Sequence, residues 1–241
     1  MTKIATAMLL AAGLGTRMKP LTDTRPKPLI EVGGRTLVDR VLDKLVAQGV
    51  TRAIVNVHYL ADMMEAHLAQ RKDIEIIISD ERALVLETGG GVVKALPLLG
   101  DEPFFVINTD VTWATAGDQT FLDMAAAYDP ATMDALLLLA QMDATLGFRG
   151  PGDFYLASDG QVERRGDRPS APYVFAGTHI TRADLLRSYE PKPFSANTYW
   201  NAFSARGRLF GTVMSPFWMH VGDPAGRDEA EARLNLMGPG A

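Results

Sequence analysis

Apolar residues along this chain fall into short unbroken runs and into helical stripes, and the two patterns alternate. Ile4 to Ala11 is an apolar run ended by glycine and reads as a buried strand, with Gly13-Leu14-Gly15-Thr16 as the loop after it. Leu37, Val38, Val41, Leu42, Leu45 and Val46 recur at helical spacing, Thr36 stands as a cap with Asp39 three residues on, and Gly49 closes the segment. Thr51–Val57 is a second strand. Leu60–Ala69 is a helix with Leu60, Met63, Met64 and Leu68 facing inward. Ile74–Ile78 is a third strand, Gly89-Gly90-Gly91 is a loop opening a short helix over Val92–Leu98, and Phe104–Ile107 is a fourth strand ending at Asn108-Thr109-Asp110.

Strands that are apolar throughout and alternate with helices predict an α/β fold, with a mixed, mainly parallel sheet covered by helices on both faces. Such sheets bind ligands beyond the carboxyl ends of their strands. Later regularity weakens. Ala135–Ala140 is another buried strand, Phe154–Ala157 and Gln161–Arg164 flank a Ser158-Asp159-Gly160 turn as a hairpin, and Tyr173–Ile180, Leu209–Val213 and Trp218–Val221 are further strands. Ala225–Leu234 reads as a packed final helix with Asp223 as its cap. With no internal repeat or low-complexity linker, residues 1–241 are expected to form one domain, in which a mixed-sheet half after about residue 112 closes over the first half.

Composition narrows the classes. The 241 residues are 47% hydrophobic and 22% charged, so a sizeable core is available, and no apolar run is long enough to suggest a membrane span. Cysteine is absent, which removes disulfides, thiolate nucleophiles and zinc sites built on thiolates. The segment before the glycine loop lacks the features of a signal peptide, so a cytoplasmic location is expected. A net charge of −5 argues against a general nucleic-acid surface. Its distribution is uneven: residues 1–35 hold six basic and two acidic residues, a net of +4, which leaves −9 on the remainder. A basic island on an acidic body points to a small anionic ligand near the N-terminal segment.

Leu10-Ala11-Ala12-Gly13-Leu14-Gly15-Thr16-Arg17-Met18-Lys19-Pro20 carries most of the chemistry. Glycines directly after a buried strand let backbone N–H groups approach a phosphate chain. The segment is neither a P-loop, since Thr16-Arg17 follows Gly15, nor a dinucleotide fingerprint, since the third glycine is replaced by Met18. Arg17 offers a planar fork for phosphate oxygens, and Lys27 in Arg25-Pro26-Lys27-Pro28-Leu29 is a cation held between two prolines.

These two strings together resemble the signature of the sugar-1-phosphate nucleotidyltransferases, and the similarity extends over nearly the whole chain. Leu86-Glu87-Thr88-Gly89-Gly90-Gly91, Gly152-Asp153-Phe154 and the compact length most resemble the short bacterial N-acetylmuramate-1-phosphate uridylyltransferases. The resemblance implies a Rossmann-like fold of the nucleotide-diphospho-sugar transferase type. It also implies a reaction in which a sugar 1-phosphate attacks the α-phosphorus of a nucleoside triphosphate, UTP foremost, and pyrophosphate leaves. It places Arg17, Lys27 and Asp110 in catalysis. Leu10, Ala11, Ala12, Gly13, Gly15, Thr16, Glu87, Thr88, Gly89 and Gly90 fall at the nucleotide, with the two last glycines over the base. Asn108, Asp153 and Gly177 fall at the sugar. Guanylyl, cytidylyl or thymidylyl transfer to mannose-, heptose- or glucose-type phosphates uses the same front loop, and a non-catalytic nucleotide-sugar-binding relative is the rival from another class. The sequence assigns no oligomeric state.

One departure concerns the metal. Asp110 is the implied ligand of Mg2+, but the relatives' second aspartate, in a Trp-x-Asp-x-Gly pattern, is replaced by His220 in Trp218-Met219-His220-Val221-Gly222. Imidazole is softer than magnesium prefers, which leaves Mn2+ or Co2+ as alternatives. Either His220 ligates, Asp223 reaches in, or Asp110 and the phosphates hold the ion with water. The lysine by which longer relatives hold the sugar phosphate is also missing, with Arg165 the nearest cation in its place.

Overall fold

A computed structural model describes residues 3–114 and 117–237. Strands β1 (Thr6–Leu10), β2 (Glu31–Val32), β3 (Arg35–Thr36), β4 (Arg52–Val57), β5 (Glu75–Asp80) and β6 (Phe104–Asn108) build the first half together with helices α1 (Leu37–Ala47), α2 (Ala61–Leu68) and α3 (Glu87–Leu99). The second half contributes β7 (Val111–Trp113), α4 (Thr120–Ala127), β8 (Ala135–Gln141), β9 (Thr145–Leu146), β10 (Phe154–Leu156) and β11 (Val162–Arg164). It ends with β12 (Tyr173–Thr181), α5 (Asn197–Ala205), β13 (Leu209–Val213), β14 (Trp218–His220) and α6 (Pro224–Met237).

One sheet runs in the order β11-β10-β12-β6-β1-β4-β5, with β8 beside β12 and β13 beside β8. Its centre, β6-β1-β4-β5, is parallel, and β12 joins it antiparallel through the register Thr178 to Ile107 and Thr181 to Phe104. The period-2 geometry of a strand sends alternate side chains to opposite faces. Ala7, Leu9, Phe105 and Ile107 therefore meet α1, α2 and α4 in one core, and Met8, Ile54, Phe104 and Val106 meet α3 and α5 in the other. Helices cover both faces, as the alternation predicts. Among the described residues no helix is long and apolar enough to cross a membrane.

A third, smaller core decides the position of the front segment. Met18, Ile30, Val32 and Leu37 pack on Met219, Val221, Ala230 and Leu234. This joins the residues after the glycine loop to the last strand and helix, and the Glu231 carboxylate reinforces it by accepting from the Gly33 N–H at 2.6 Å.

Thr36 caps α1 as expected, accepting from the Asp39 N–H at 3.2 Å, and the Asp223 carboxylate caps α6 by accepting from the Gly226 N–H at 2.8 Å. The predicted hairpin is present as β10 and β11, paired Phe154 to Arg164 and Leu156 to Val162. Two expectations are corrected, and two helices are found that were not expected. Met63 is 43% exposed, and α2 buries Ala61, Met64 and Leu68 instead. Helices α4 and α5 do not stand out in the sequence pattern. The larger correction concerns Gly89-Gly90-Gly91, which form no loop: they lie in the first turns of α3, which begins at Glu87 rather than Val92.

The glycines are there because another chain segment sits on them. The Gly89 and Gly90 N–H groups, which the start of a helix leaves without intrahelical acceptors, donate to the Phe194 carbonyl at 2.8 and 3.2 Å. A Cβ on Gly89 would overlap the Phe194 ring, and one on Gly90 would overlap the Lys192 carbonyl oxygen. Alanine raises helix propensity by about 1 kcal/mol over glycine, but overpacking against backbone costs about 1–3 kcal/mol or more. Gly90→Ala is therefore expected to lower stability by about 1–2 kcal/mol in urea unfolding; a variant at least as stable as the parent would show that the 192–194 segment yields freely.

His179, on β12, is 2% exposed, with its Nε2 3.1 Å from the Tyr199 hydroxyl, and burial pushes the imidazole down from 6.5 to about 3. Below pH 6.5 the unfolded chain binds a proton that the native protein refuses, so stability falls with pH until about pH 3. This group should make the protein about 1.4 kcal/mol less stable at pH 5.5 than at pH 7.5, a loss that His179→Gln removes. Urea midpoints of both proteins at the two pH values measure it, and an unchanged pH difference in the variant would mean that His179 titrates as in an open chain.

Candidate active site

Strand β1 ends between β4 and β6, and the chain then turns out of the sheet at Ala11. The turn is held from below: the Ala11 and Ala12 N–H groups donate to Asn56 Oδ1 at 2.6 and 3.2 Å. Asn56 in turn donates through Nδ2 to Glu81 Oε1 at 2.8 Å, and Glu81 Oε2 accepts from the Leu86 N–H at 3.0 Å. Both side chains are at most 2% exposed, so this buried chain of polar contacts fixes the glycine loop against the start of α3. Gly91 leaves the space for it, since a Cβ there would lie 2.9 Å from both Asn56 Nδ2 and Glu81 Oε1. Neither Asn56 nor Glu81 stands out in the sequence; the one signal is a polar residue interrupting the apolar run of β4 just before its last residue, and another directly after β5.

Gly15 takes a left-handed conformation, φ 63°, and its carbonyl accepts from the Thr22 hydroxyl at 2.9 Å. The short turns that follow bring Lys27 back over the end of β6. There its Nζ lies 2.8 Å from Asp110 Oδ2. Asp110 follows β6, tethered by the Thr109 hydroxyl, which donates to the Leu10 carbonyl at 3.0 Å. The antiparallel pairing of β7 with β14 sets His220 opposite Val111 and puts its Nε2 3.5 Å from the same Asp110 oxygen. Burial alone would raise the Asp110 carboxyl, but the Lys27 ammonium and the hydrogen-bonding His220 outweigh it and hold the group well below the usual carboxylate range. Asp110 is thus an anion at any working pH. The His220 ring stacks on Trp218, with centroids 5.8 Å apart and planes 7° from parallel, and a Cβ on Gly222 would strike it.

A cleft of about 290 Å³ opens above these groups. Leu10 to Gly13, Gly15 to Arg17 and Lys27 form one side, Glu87 and Thr88 another, and Asn108 and Asp110 the floor. Most of the residues expected at a nucleotide are therefore brought together. Gly89 and Gly90 are not: they face the 192–194 segment, with their N–H groups taken by Phe194. Lys19 points away from the cleft, paired with Asp23 at 3.4 Å.

A second cavity of about 270 Å³ adjoins the first and shares Leu10, Thr88 and Asn108 with it. Phe154, Phe175, His179 and Trp200 form its apolar walls, and Asp153, Arg164 and Asn197 supply polar groups. Asp153, expected at the sugar, is there, its Oδ2 accepting from the Phe175 N–H at 3.0 Å. Gly177 lines neither cavity; it lies at the irregularity in β12 with φ 85°, where a Cβ would come 2.8 Å from Val111. Arg165 does not reach either cavity. Its guanidinium donates to the Gly152 and Arg168 carbonyls at 3.2 and 2.6 Å, and the neighbouring Arg164 faces the second cavity instead.

The chain is similar to known proteins along most of its length. Residues 6–148 match the family model described as nucleotidyl transferase. The chain is 47% identical over 232 residues to an N-acetylmuramate alpha-1-phosphate uridylyltransferase of Caulobacter vibrioides, covering 95% of this chain and 96% of that one. It is 33% identical to the protein of the same name in Neisseria meningitidis serogroup B, covering 94% and 96%. A UTP-bound UGPase from Acinetobacter baumannii shares the fold at a TM-score of 0.78 and 19% identity, covering 98% of this chain and 95% of that one. With a matching family model over more than half of its length and relatives this similar from end to end, the chain belongs to the nucleotidyl transferase family and, within it, to the sugar-1-phosphate nucleotidyltransferases.

Proposed function

We propose that this protein transfers a uridylyl group from UTP to N-acetylmuramate 1-phosphate, in the cytoplasm, as a step in the recycling of peptidoglycan sugars. The observation that carries the reading is the pair of cavities meeting at Leu10, Thr88 and Asn108 beside Asp110, one lined by a glycine loop with two cations and the other by aromatic and polar groups. Two substrates held in adjoining sites meet at the shared wall. The 47% identity to a uridylyltransferase named for this sugar supports the choice of substrates. The chain acts as one unit, with residues to about 112 taking the nucleotide and the remainder the sugar.

In this reading an oxygen of the sugar phosphate attacks the α-phosphorus of UTP, and the bond from that phosphorus to the bridging oxygen breaks, releasing pyrophosphate. The residues of the chain position and neutralise. Backbone N–H groups of residues 13–17 and the Arg17 fork take the departing phosphates, and Lys27 balances charge at the reacting end. The buried Asn56–Glu81 contacts keep the loop from shifting when its ligand leaves.

The donor set suits a hard cation bound mainly through substrate and water. Among the described residues no three His, Asp or Glu side chains converge, and Asp110 offers one carboxylate with His220 beside it. Asp223 is committed to capping α6. Asp110 would hold Mg2+ together with triphosphate oxygens, and Mn2+ or Co2+ would suit a site in which His220 also ligates. When bound, the ion supplies positive charge to the phosphate oxygens as negative charge builds on them.

Purified protein with UTP, Mg2+ and N-acetylmuramate 1-phosphate should release pyrophosphate and form the nucleotide-sugar, and Asp110→Asn should lower that turnover about 100- to 1,000-fold, with a lower melting temperature because Lys27 loses its partner but a native circular dichroism spectrum at the assay temperature. A coupled pyrophosphate assay reads both. No release from UTP with this sugar, alongside release from another triphosphate or sugar phosphate, would overturn the substrate assignment, and full activity in Asp110→Asn would remove the carboxylate from the mechanism.

A further inference from the structure

We infer that Arg164 forms an anion subsite at the far side of the second cavity, one that takes a carboxylate carried by the sugar ring and so selects acid-bearing sugars over neutral ones. The inference rests on the reading of the second cavity as the sugar site.

Arg164 ends β11 directly opposite Phe154 of β10, and its guanidinium carbon lies 5.2 Å from the centre of the Phe154 ring. Its Nε donates to Asn201 Oδ1 at 2.7 Å and its Nη2 to Asn197 Oδ1 at 3.0 Å. Those asparagines are one turn apart on α5, so the fork is held rigidly by two neutral oxygens. Among the described residues Arg164 has no carboxylate within ion-pair distance, and its Nη1 has no acceptor. The charged groups lining the cavity are Arg164 and Asp153, and the Asp153 Oδ2 is already occupied by the Phe175 N–H. His179, also in the wall, stays neutral. Burial lowers the guanidinium's pKa and Asp153 acts in the opposite direction, which marks a cation only partly compensated by its surroundings.

A half-buried guanidinium that bonds only to amide oxygens is a costly way to meet hydroxyl groups, which the asparagines and Asp153 meet without it. Its worth lies in a charge-assisted, fork-shaped contact to an anion. The anion is not the phosphate. That group must reach the α-phosphorus beside Asp110, at the boundary formed by Leu10, Thr88 and Asn108, whereas Arg164 lines the second cavity alone. With the phosphate at the shared wall, the ring and its substituents extend toward Arg164. N-acetylmuramate differs from N-acetylglucosamine by one feature, a lactyl ether ending in a carboxylate, and that carboxylate is the group the fork accepts.

Isothermal calorimetry with Mg2+ and a non-hydrolysable UTP analogue, titrating N-acetylmuramate 1-phosphate and N-acetylglucosamine 1-phosphate, tests this. Arg164→Gln should weaken the acid-bearing sugar phosphate by about 10- to 100-fold and the neutral one by less than about 3-fold. Arg164→Lys, which keeps the charge but loses the fork, should fall between, and it serves as the informative variant if Arg164→Gln does not fold. Equal weakening of both sugars would mean that Arg164 meets the phosphate or only steadies α5, and no weakening of either would mean that it meets nothing; both results overturn the subsite. The two readings fail separately. Arg164-dependent binding of N-acetylmuramate 1-phosphate by a protein that releases no pyrophosphate would sink the activity alone, whereas active protein that loses both sugars equally in Arg164→Gln would sink the subsite alone.

Discussion

The ion pair between Lys27 and Asp110 is the constraint on which the site depends. The partners are 83 residues apart and meet at 2.8 Å, one from the loop after the first strand and one from the end of a strand at the centre of the sheet. An anion placed at the mouth of a parallel sheet, with water partly excluded, needs a cation beside it, and Lys27 between its two prolines meets that need with little loss of conformational freedom. The same carboxylate is close to His220, so three distant parts of the sequence converge on one oxygen. What brings them there is apolar: Met18, Ile30 and Val32 of the front segment share a core with Met219 and Val221 on either side of His220.

The architecture was legible where local pattern and tertiary role coincide. Strand β1 with its glycine loop, the Thr36 cap, the β10–β11 hairpin and Asp110 at a strand end could each be read from a few adjacent residues. The failures share a cause, namely a partner far away in sequence. Glycine favours loops as a residue, yet Gly89-Gly90-Gly91 sit in a helix because residues 192–194 lie against them, about a hundred positions on. Asn56 and Glu81 are ordinary polar residues until the fold sets one beneath the Ala11 and Ala12 amides and the other beside it. Arg164 and Arg165 are adjacent and identical in type, but Arg164 is the last residue of β11, paired with Phe154 and bonded to α5, whereas Arg165 lies beyond the strand with its guanidinium held by the Gly152 and Arg168 carbonyls.

In the function proposed, a single sheet serves two ligands through the two cavities. The parallel half ends in backbone amides and cations suited to phosphate. The mixed half, entered through β12, supplies aromatic walls and hydrogen-bonding groups suited to a sugar.

The central claim is that the front loop and Lys27 enclose a triphosphate above Asp110. A crystal structure with Mg2+ and a non-hydrolysable UTP analogue tests it most directly. The account predicts the phosphates against residues 13–17 and Lys27, with the ion on Asp110; phosphates bound away from that loop, or an ion that leaves Asp110 untouched, would contradict it.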